Sequence, residues 1–112
     1  WVDVDSLDNL RMALPVPDLI KIDVEGYHAE LFVGGATFFA HHSPMMMAEL
    51  KDDDPTRVCA VENKLRGWGY LIYEFKKRSL VRCDNIARSK ARNFFLIRSS
   101  SKYWCRINAL QR

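Results

Sequence analysis

The sequence contains no apolar run near the roughly 20 residues that a membrane-spanning helix needs. Residues 1–10 hold no basic residue, so they do not resemble a secretory signal peptide. The cysteines are few and widely spaced, at Cys59, Cys83 and Cys105, and they form no C-x-x-C pair. An odd number at this spacing argues against a disulfide framework and a thiolate zinc site. We therefore expect an intracellular, cytoplasmic protein without membrane contact.

The composition is that of an ordinary globular protein, but the charge is divided unevenly. The 112 residues suffice for one domain, and 48% of them are hydrophobic and 28% charged. Residues 1–56 hold 3 basic and 11 acidic residues, whereas residues 57–112 hold 14 basic and 3 acidic ones. Since the first residue is Trp1 rather than Met, we expect the chain to be part of a longer protein.

Hydrophobic patterning predicts strands that alternate with helices. Apolar runs predict strands at 19–24, 45–50, 69–75 and 93–97. Helical spacing predicts a short helix capped by Ser6, and longer helices at 27–39 and 56–66. In the helix at 27–39, the residues expected to face the sheet are Ala29, Phe32, Val33 and Ala36. Gly34-Gly35 is expected to allow a close backbone approach or to stop this helix early.

This order predicts an α/β fold with parallel strands joined by crossover helices. Residues 76–92 are basic and poorly periodic, so they are predicted to be the loop of a C-terminal antiparallel hairpin. We expect one domain over residues 1–98 and a loosely ordered tail over residues 99–112.

The most informative segment is residues 17–26, which read PDLIKIDVEG. If residues 19–24 form a strand, Asp23 and Glu25 lie two residues apart near its carboxyl end and share one face. Ligands bind at that edge in open α/β sheets. A carboxylate pair there can accept a substrate proton, hold a cation, or bind a sugar or an amine. The alternative is that both acids only solvate the strand end and start the helix.

A longer pattern resembles the C-terminal part of FkbM-type methyltransferases, which use S-adenosylmethionine. That family typically reads T-L-D-x-L, then P-D-L-I-K-I-D-V-E-G, then E-x-x-V-L-x-G-A, then a strand that ends in an acid. The corresponding segments here are residues 4–10, 17–26, 31–32 with 35–36, and 48–50 after Pro44. The match extends over residues 4–97 and is strongest at 17–26.

The resemblance implies a partial Rossmann-like methyltransferase sheet, to which this chain contributes the fourth to seventh strands. It implies methyl transfer from S-adenosylmethionine to a hydroxyl group of a small-molecule or glycan acceptor. Asp23, Glu25 and His28 are then the catalytic candidates, and Lys21 and Glu49 are the candidates for substrate binding. Asp23 is also the candidate for cofactor binding, and no metal ligand is assigned.

Two departures from the family pattern matter. Position 28, usually acidic in the family, is His28, and a histidine in the first turn of a helix tends to stay neutral. The family's donor site lies on a glycine-rich turn after its first strand, and no such turn is predicted here. The chain alone is therefore expected to be inactive.

Other functions compete with this interpretation. The basic residues between Lys76 and Arg92, with Tyr73, Phe75, Tyr103 and Trp104, could instead bind nucleic acid by phosphate contacts and stacking. The alternative for this basic segment is that it forms a solvated loop, or that it covers an anionic acceptor. A Mg²⁺ site is a further alternative, either at Asp23, Glu25 and Glu49 or at the aspartate run 52–54.

Overall fold

The structure, a computed structural model, describes residues 4–109. These residues form a five-stranded mixed sheet with helices on both faces. The elements in chain order are α1 (Leu7–Leu10), β1 (Leu19–Ile22), α2 (His28–Gly34), α3 (Ala36–His41), β2 (Met45–Glu49), α4 (Pro55–Gly67), β3 (Tyr70–Lys76), β4 (Ser79–Arg82), β5 (Asn93–Arg98) and α5 (Trp104–Asn108). The predicted α/β class is confirmed, and the observed α1 follows the predicted cap, Ser6, whose Oγ accepts from the Asn9 amide.

The strand order in the sheet is β1-β2-β5-β3-β4. β1 and β2 are parallel, and every other neighbouring pair is antiparallel. Because β5 is antiparallel to both β2 and β3, those two strands point in the same direction as β1. The predicted antiparallel pairing of the last strand with the strand at 69–75, observed as β3, is confirmed. The predicted parallel arrangement is found only between β1 and β2, because β5 separates β2 from β3.

The sequence predicted that the basic segment 76–92 is a loop, and this prediction is wrong for part of the segment. Its first part forms β4, which pairs with β3 through a tight hairpin at Lys77 and Arg78. Both of these residues have positive φ, +47° and +63°, as the central residues of a type I′ turn do. The prediction failed here because neither residue is the Asn or Gly that usually marks such a turn.

The predicted helix at 27–39 is divided in two at Gly35. A Cβ on Gly35 would lie 3.0 Å from Leu7 Cδ2, so this residue allows α1 to approach closely, as predicted. Val33, predicted to face the sheet, is exposed, whereas Phe32 beside it in α2 is buried. After the break, Phe38 and Phe39 of α3 are buried.

The main core lies between the sheet and helices α2, α3 and α4, which contribute Phe32, Phe39 and Leu65 among other side chains. A smaller core on the opposite face joins Tyr73 and Ile97 to residues of the C-terminal segment. That segment, for which the sequence predicts loose order, includes α5, and its residues 110–112 lie outside the described range. Among residues 4–109, no helix has the length and apolar character needed to cross a membrane.

The segment between β4 and β5 is held against α4 by a buried carboxylate. Glu62 Oε1 accepts from the Ile86 amide at 2.7 Å and from Arg66 Nη2 at 3.3 Å. Arg66 Nη2 also donates to the carbonyl oxygen of Cys83 at 2.8 Å. Glu62 therefore fixes the position of the segment that leads into β5.

Replacing Glu62 with alanine is expected to lower the free energy of unfolding by about 1–3 kcal/mol, because the buried Ile86 amide loses its acceptor. Glu62→Gln keeps an acceptor oxygen, so its free energy of unfolding should fall by less than that of Glu62→Ala. The exposed neighbour Asn63→Ala is the matched control, and urea unfolding is the measurement. Equal loss in all three variants would contradict this account of the carboxylate.

One edge of the sheet is unprotected. β1 is the terminal strand, and on its outer side it has no strand partner among residues 4–109. Leu19 on this strand is 49% exposed, and Tyr27, which follows the turn after the strand, is 69% exposed. Further exposed apolar side chains flank the strand, namely Leu10, Met12, Leu14 and Val16. An apolar edge of this kind promotes association between chains.

We expect the 112-residue chain to self-associate through this edge. Leu19→Lys places a charge on the edge and should shift the population towards monomer in light scattering coupled to gel filtration. Val33→Lys alters an exposed apolar residue on α2 and serves as the control. A wild-type chain that is monomeric at all concentrations would rule out the edge as an association site.

Candidate active site

The parallel pairing of β1 with β2 brings two acidic segments to one edge of the sheet. Ile22 is in register with Ala48, so the chain leaves β1 beside the end of β2. Asp23 follows β1 directly, and Glu49 is the last residue of β2. This is the strand-end position at which open α/β sheets bind ligands.

Asp23 and Glu25 lie at the strand end, as predicted, but not on the strand. β1 ends at Ile22, and Glu25 and Gly26 form a turn with φ of +40° and +90°. The prediction of a shared strand face was therefore wrong, because the backbone turns before Glu25. Both carboxylates are exposed and have no hydrogen-bond or ion-pair partner among the described residues. They remain available to a ligand.

A cleft of about 680 Å³ opens at this edge. It is lined by residues of three segments, namely Glu25 and Gly26, the run Glu49, Lys51, Asp52 and Asp53, and Lys90 with Arg92. Asp23 precedes the residues that line the cleft and does not itself line it. Lys21, predicted to bind substrate, instead lines a separate apolar groove of about 740 Å³ beside β1 and α1.

Arg57, in the first turn of α4, connects the segments around the cleft. Its Nη2 donates to the carbonyl oxygen of Gly26 at 3.1 Å and to Glu30 Oε1 at 3.0 Å. Its Nε donates to Asp52 Oδ2 at 3.0 Å. One guanidinium thus holds the turn after β1, the helix α2 and the loop after β2 in a fixed arrangement.

The acids bound by Arg57 are held in their charged form. The pKa of Asp52 is lowered, first by the hydrogen bond from the Asp54 amide and then by Arg57. The pKa of Glu30 is lowered by a backbone hydrogen bond and by the same guanidinium. The two carboxylates in turn raise the pKa of Arg57.

His28 is buried beneath the cleft and is not a solvated side chain. It is 1% exposed, and its Nε2 has no hydrogen-bond partner among the described residues. Burial lowers the pKa of His28, an effect reinforced by Arg57 and opposed by Asp52, Glu30 and Glu49. The expectation of a neutral imidazole agrees with this direction. The side chain is not among the residues that line the cleft.

We expect stability to fall between about pH 7.5 and about pH 5.5, because the unfolded histidine takes up a proton there and the buried one resists it. His28→Gln should flatten this dependence in thermal unfolding. His41→Gln, at an exposed histidine, is the control. Identical pH dependence in wild type and His28→Gln would contradict the burial argument.

The alternatives raised by the sequence find less support. No group of three His, Cys, Asp or Glu side chains within residues 4–109 is placed to hold a metal ion. Of the proposed stacking aromatics, Tyr73 is fully buried, and Tyr103 and Trp104 pack against it in the smaller core. Only Phe75 is exposed.

Comparison with protein-family models, with curated proteins and with solved structures finds no match. Any functional conclusion therefore depends on the geometry of the chain and on the sequence resemblance of residues 17–26.

Several residues of the cleft were missed by the sequence analysis. Lys51 donates from its Nζ to the carbonyl oxygens of Ile86, at 2.8 Å, and Ser89. Arg92 pairs with Glu49 at 3.2 Å. The basic segment was noticed, but its position beside the acids depends on β5 lying next to β2, which no local pattern indicates.

Proposed function

We propose that this chain forms the acceptor side of an S-adenosylmethionine-dependent methyltransferase that modifies a hydroxyl group. The observation that carries the proposal is the register of β1 with β2, which brings the turn after β1 and Glu49 to one cleft. The resemblance of residues 17–26 to FkbM-type enzymes supplies the reaction. The partial Rossmann-like sheet implied by that resemblance is part of the same proposal.

Methyl transfer needs an acceptor oxygen held in line with the methyl group and relieved of its proton. Glu25 lines the cleft with a carboxylate that has no partner in the described part of the chain, so it can accept that proton. Asp23 stands two residues away at the strand end. Arg57 fixes the carbonyl group of Gly26 and so holds the turn that presents Glu25.

The donor itself does not fit the described residues. The turn from β1 to α2 contains one glycine, Gly26, and the loop from β2 to α4 contains none. The glycine pair Gly67 and Gly69 lies between a helix and a strand, the reverse of a donor-binding turn. We therefore assign only acceptor binding and proton removal to this chain.

Nucleic-acid binding by the basic segment is the second candidate. The exposed hairpin tip at Lys77 and Arg78 is the observation that favours it. Burial of Tyr73 removes a stacking surface, and Lys76 is paired with Glu74. Filter binding that depends steeply on salt and is lost on substitution of Lys77 and Arg78 would support this candidate over methyl transfer.

The proposal is tested with the complete product of the gene that encodes this sequence. Transfer of labelled methyl groups from S-adenosylmethionine to a panel of hydroxyl acceptors is the assay. The double variant Asp23→Asn, Glu25→Gln should lower kcat by about 100-fold or more, because a general base is removed. Asp84→Asn, at an exposed acid outside the cleft, should have no effect. Unchanged kcat in the double variant would refute the assigned roles.

A further inference from the structure

The cleft is not uniformly acidic, and its charges are ordered across the sheet. The free carboxylate of Glu25 follows β1, and Asp52 and Asp53 follow β2. The cations Lys90 and Arg92 precede β5, the next strand across. The acidic half of the sequence and its basic half therefore meet at this one edge.

On the basic side of the cleft, the charge of Lys90 is not neutralised by an acid within residues 4–109. Lys90 is exposed and has no ion-pair partner among residues 4–109. Lys51 is half-buried, and its ammonium group is held by two carbonyl oxygens rather than by a carboxylate. Arg92 is the one cation of this side that is paired, with Glu49 at 3.2 Å, and its side chain is 74% exposed.

The fixed position of Lys51 depends on the same contacts that order the segment before β5. Ser89 donates from its Oγ to Glu74, and its carbonyl oxygen accepts from Lys51. Glu62 holds the Ile86 amide from the other side. The cationic wall is thus built on α4 and β3 and is not a free surface loop.

From these contacts we infer that the cleft takes an acceptor with an anionic group at one end and a hydroxyl group at the other. The anion, a carboxylate or a phosphate, lies against Lys51, Lys90 and Arg92, and the hydroxyl lies near Glu25. This inference rests on the proposed function for the role of the hydroxyl. β1 and β5 are two strand spacings apart, so the two groups of the acceptor are separated by up to about 10 Å. A monosaccharide or disaccharide acid has this size.

Binding to the 112-residue chain tests the inference without requiring activity. Glucuronate, glucose 6-phosphate and glucose are titrated in separate arms, with amide chemical shifts as the readout. The two anionic sugars should bind at least tenfold more tightly than glucose and should shift the amides of Lys90 and Glu25. Comparison of the first two arms tells whether a carboxylate or a phosphate is preferred.

Variants separate the site from general attraction by a basic surface. Lys90→Glu should weaken binding of the anionic sugars at least tenfold. Lys90→Ala, which removes the positive charge without adding a negative one, should also weaken their binding. Lys77→Glu makes the same charge change at the exposed hairpin tip and should leave binding unchanged. Equal binding of glucose and glucuronate, or an equal loss in Lys77→Glu, would overturn the inference.

The complete gene product distinguishes failure of this inference from failure of the proposed function. Methyl transfer that prefers the anionic sugars by at least tenfold in kcat/KM supports both. Transfer with equal kcat/KM for anionic and neutral acceptors would overturn the inference and leave the function intact. Anion binding that depends on Lys90, without transfer to any acceptor, would overturn the function and leave the binding site intact.

Discussion

The parallel ladder between β1 and β2 determines where the charged groups that follow these two strands lie. In the observed register Ile22 is opposite Ala48, so the chain emerges from both strands at the same level. A shift by one residue would turn the buried Ile22 away from the core, which makes the observed register strongly preferred. The hydrophobic core therefore fixes the polar site.

The position of β5 beside β2 brings positively charged side chains, Lys90 and Arg92, to the cleft. Asn93 is in register with Glu49, and the Leu50 amide donates to the carbonyl oxygen of Arg92 at 3.2 Å. This pairing brings the basic residues that precede β5 to the end of β2, where Glu49 lies. Arg57 then ties the turn after β1 to the loop after β2, so that the carboxylates keep their positions without a ligand.

Local patterns in the sequence were enough to predict most strands and helices. The apolar runs at 19–24 and 45–50 correspond to β1 and β2, and the helix predicted at 56–66 corresponds to α4, which Asp54 caps by accepting from the Thr56 amide. The position of Asp23 and Glu25 at a strand end was predicted correctly as well. These features follow from residues close together in the chain, whose preferences do not depend on the rest of the fold.

What could not be predicted depends on contacts between distant segments. The place of β5 between β2 and β3 is a pairing choice that its own apolar pattern leaves open. Lys51 and Lys90 become part of one cleft only through that choice, and the buried His28 belongs to α2, which packs against α4. The division of the 27–39 helix at Gly35 reflects the close approach of Leu7, far earlier in the chain.

The most direct test of this account is the pairing of β1 with β2 measured by nuclear Overhauser effects in an isotope-labelled sample. The account predicts contacts of a parallel ladder that join Ile20 to Met46 and Ile22 to Ala48. Contacts of an antiparallel ladder, or of a register shifted by one residue, would separate Glu25 from Glu49 and contradict the shared cleft.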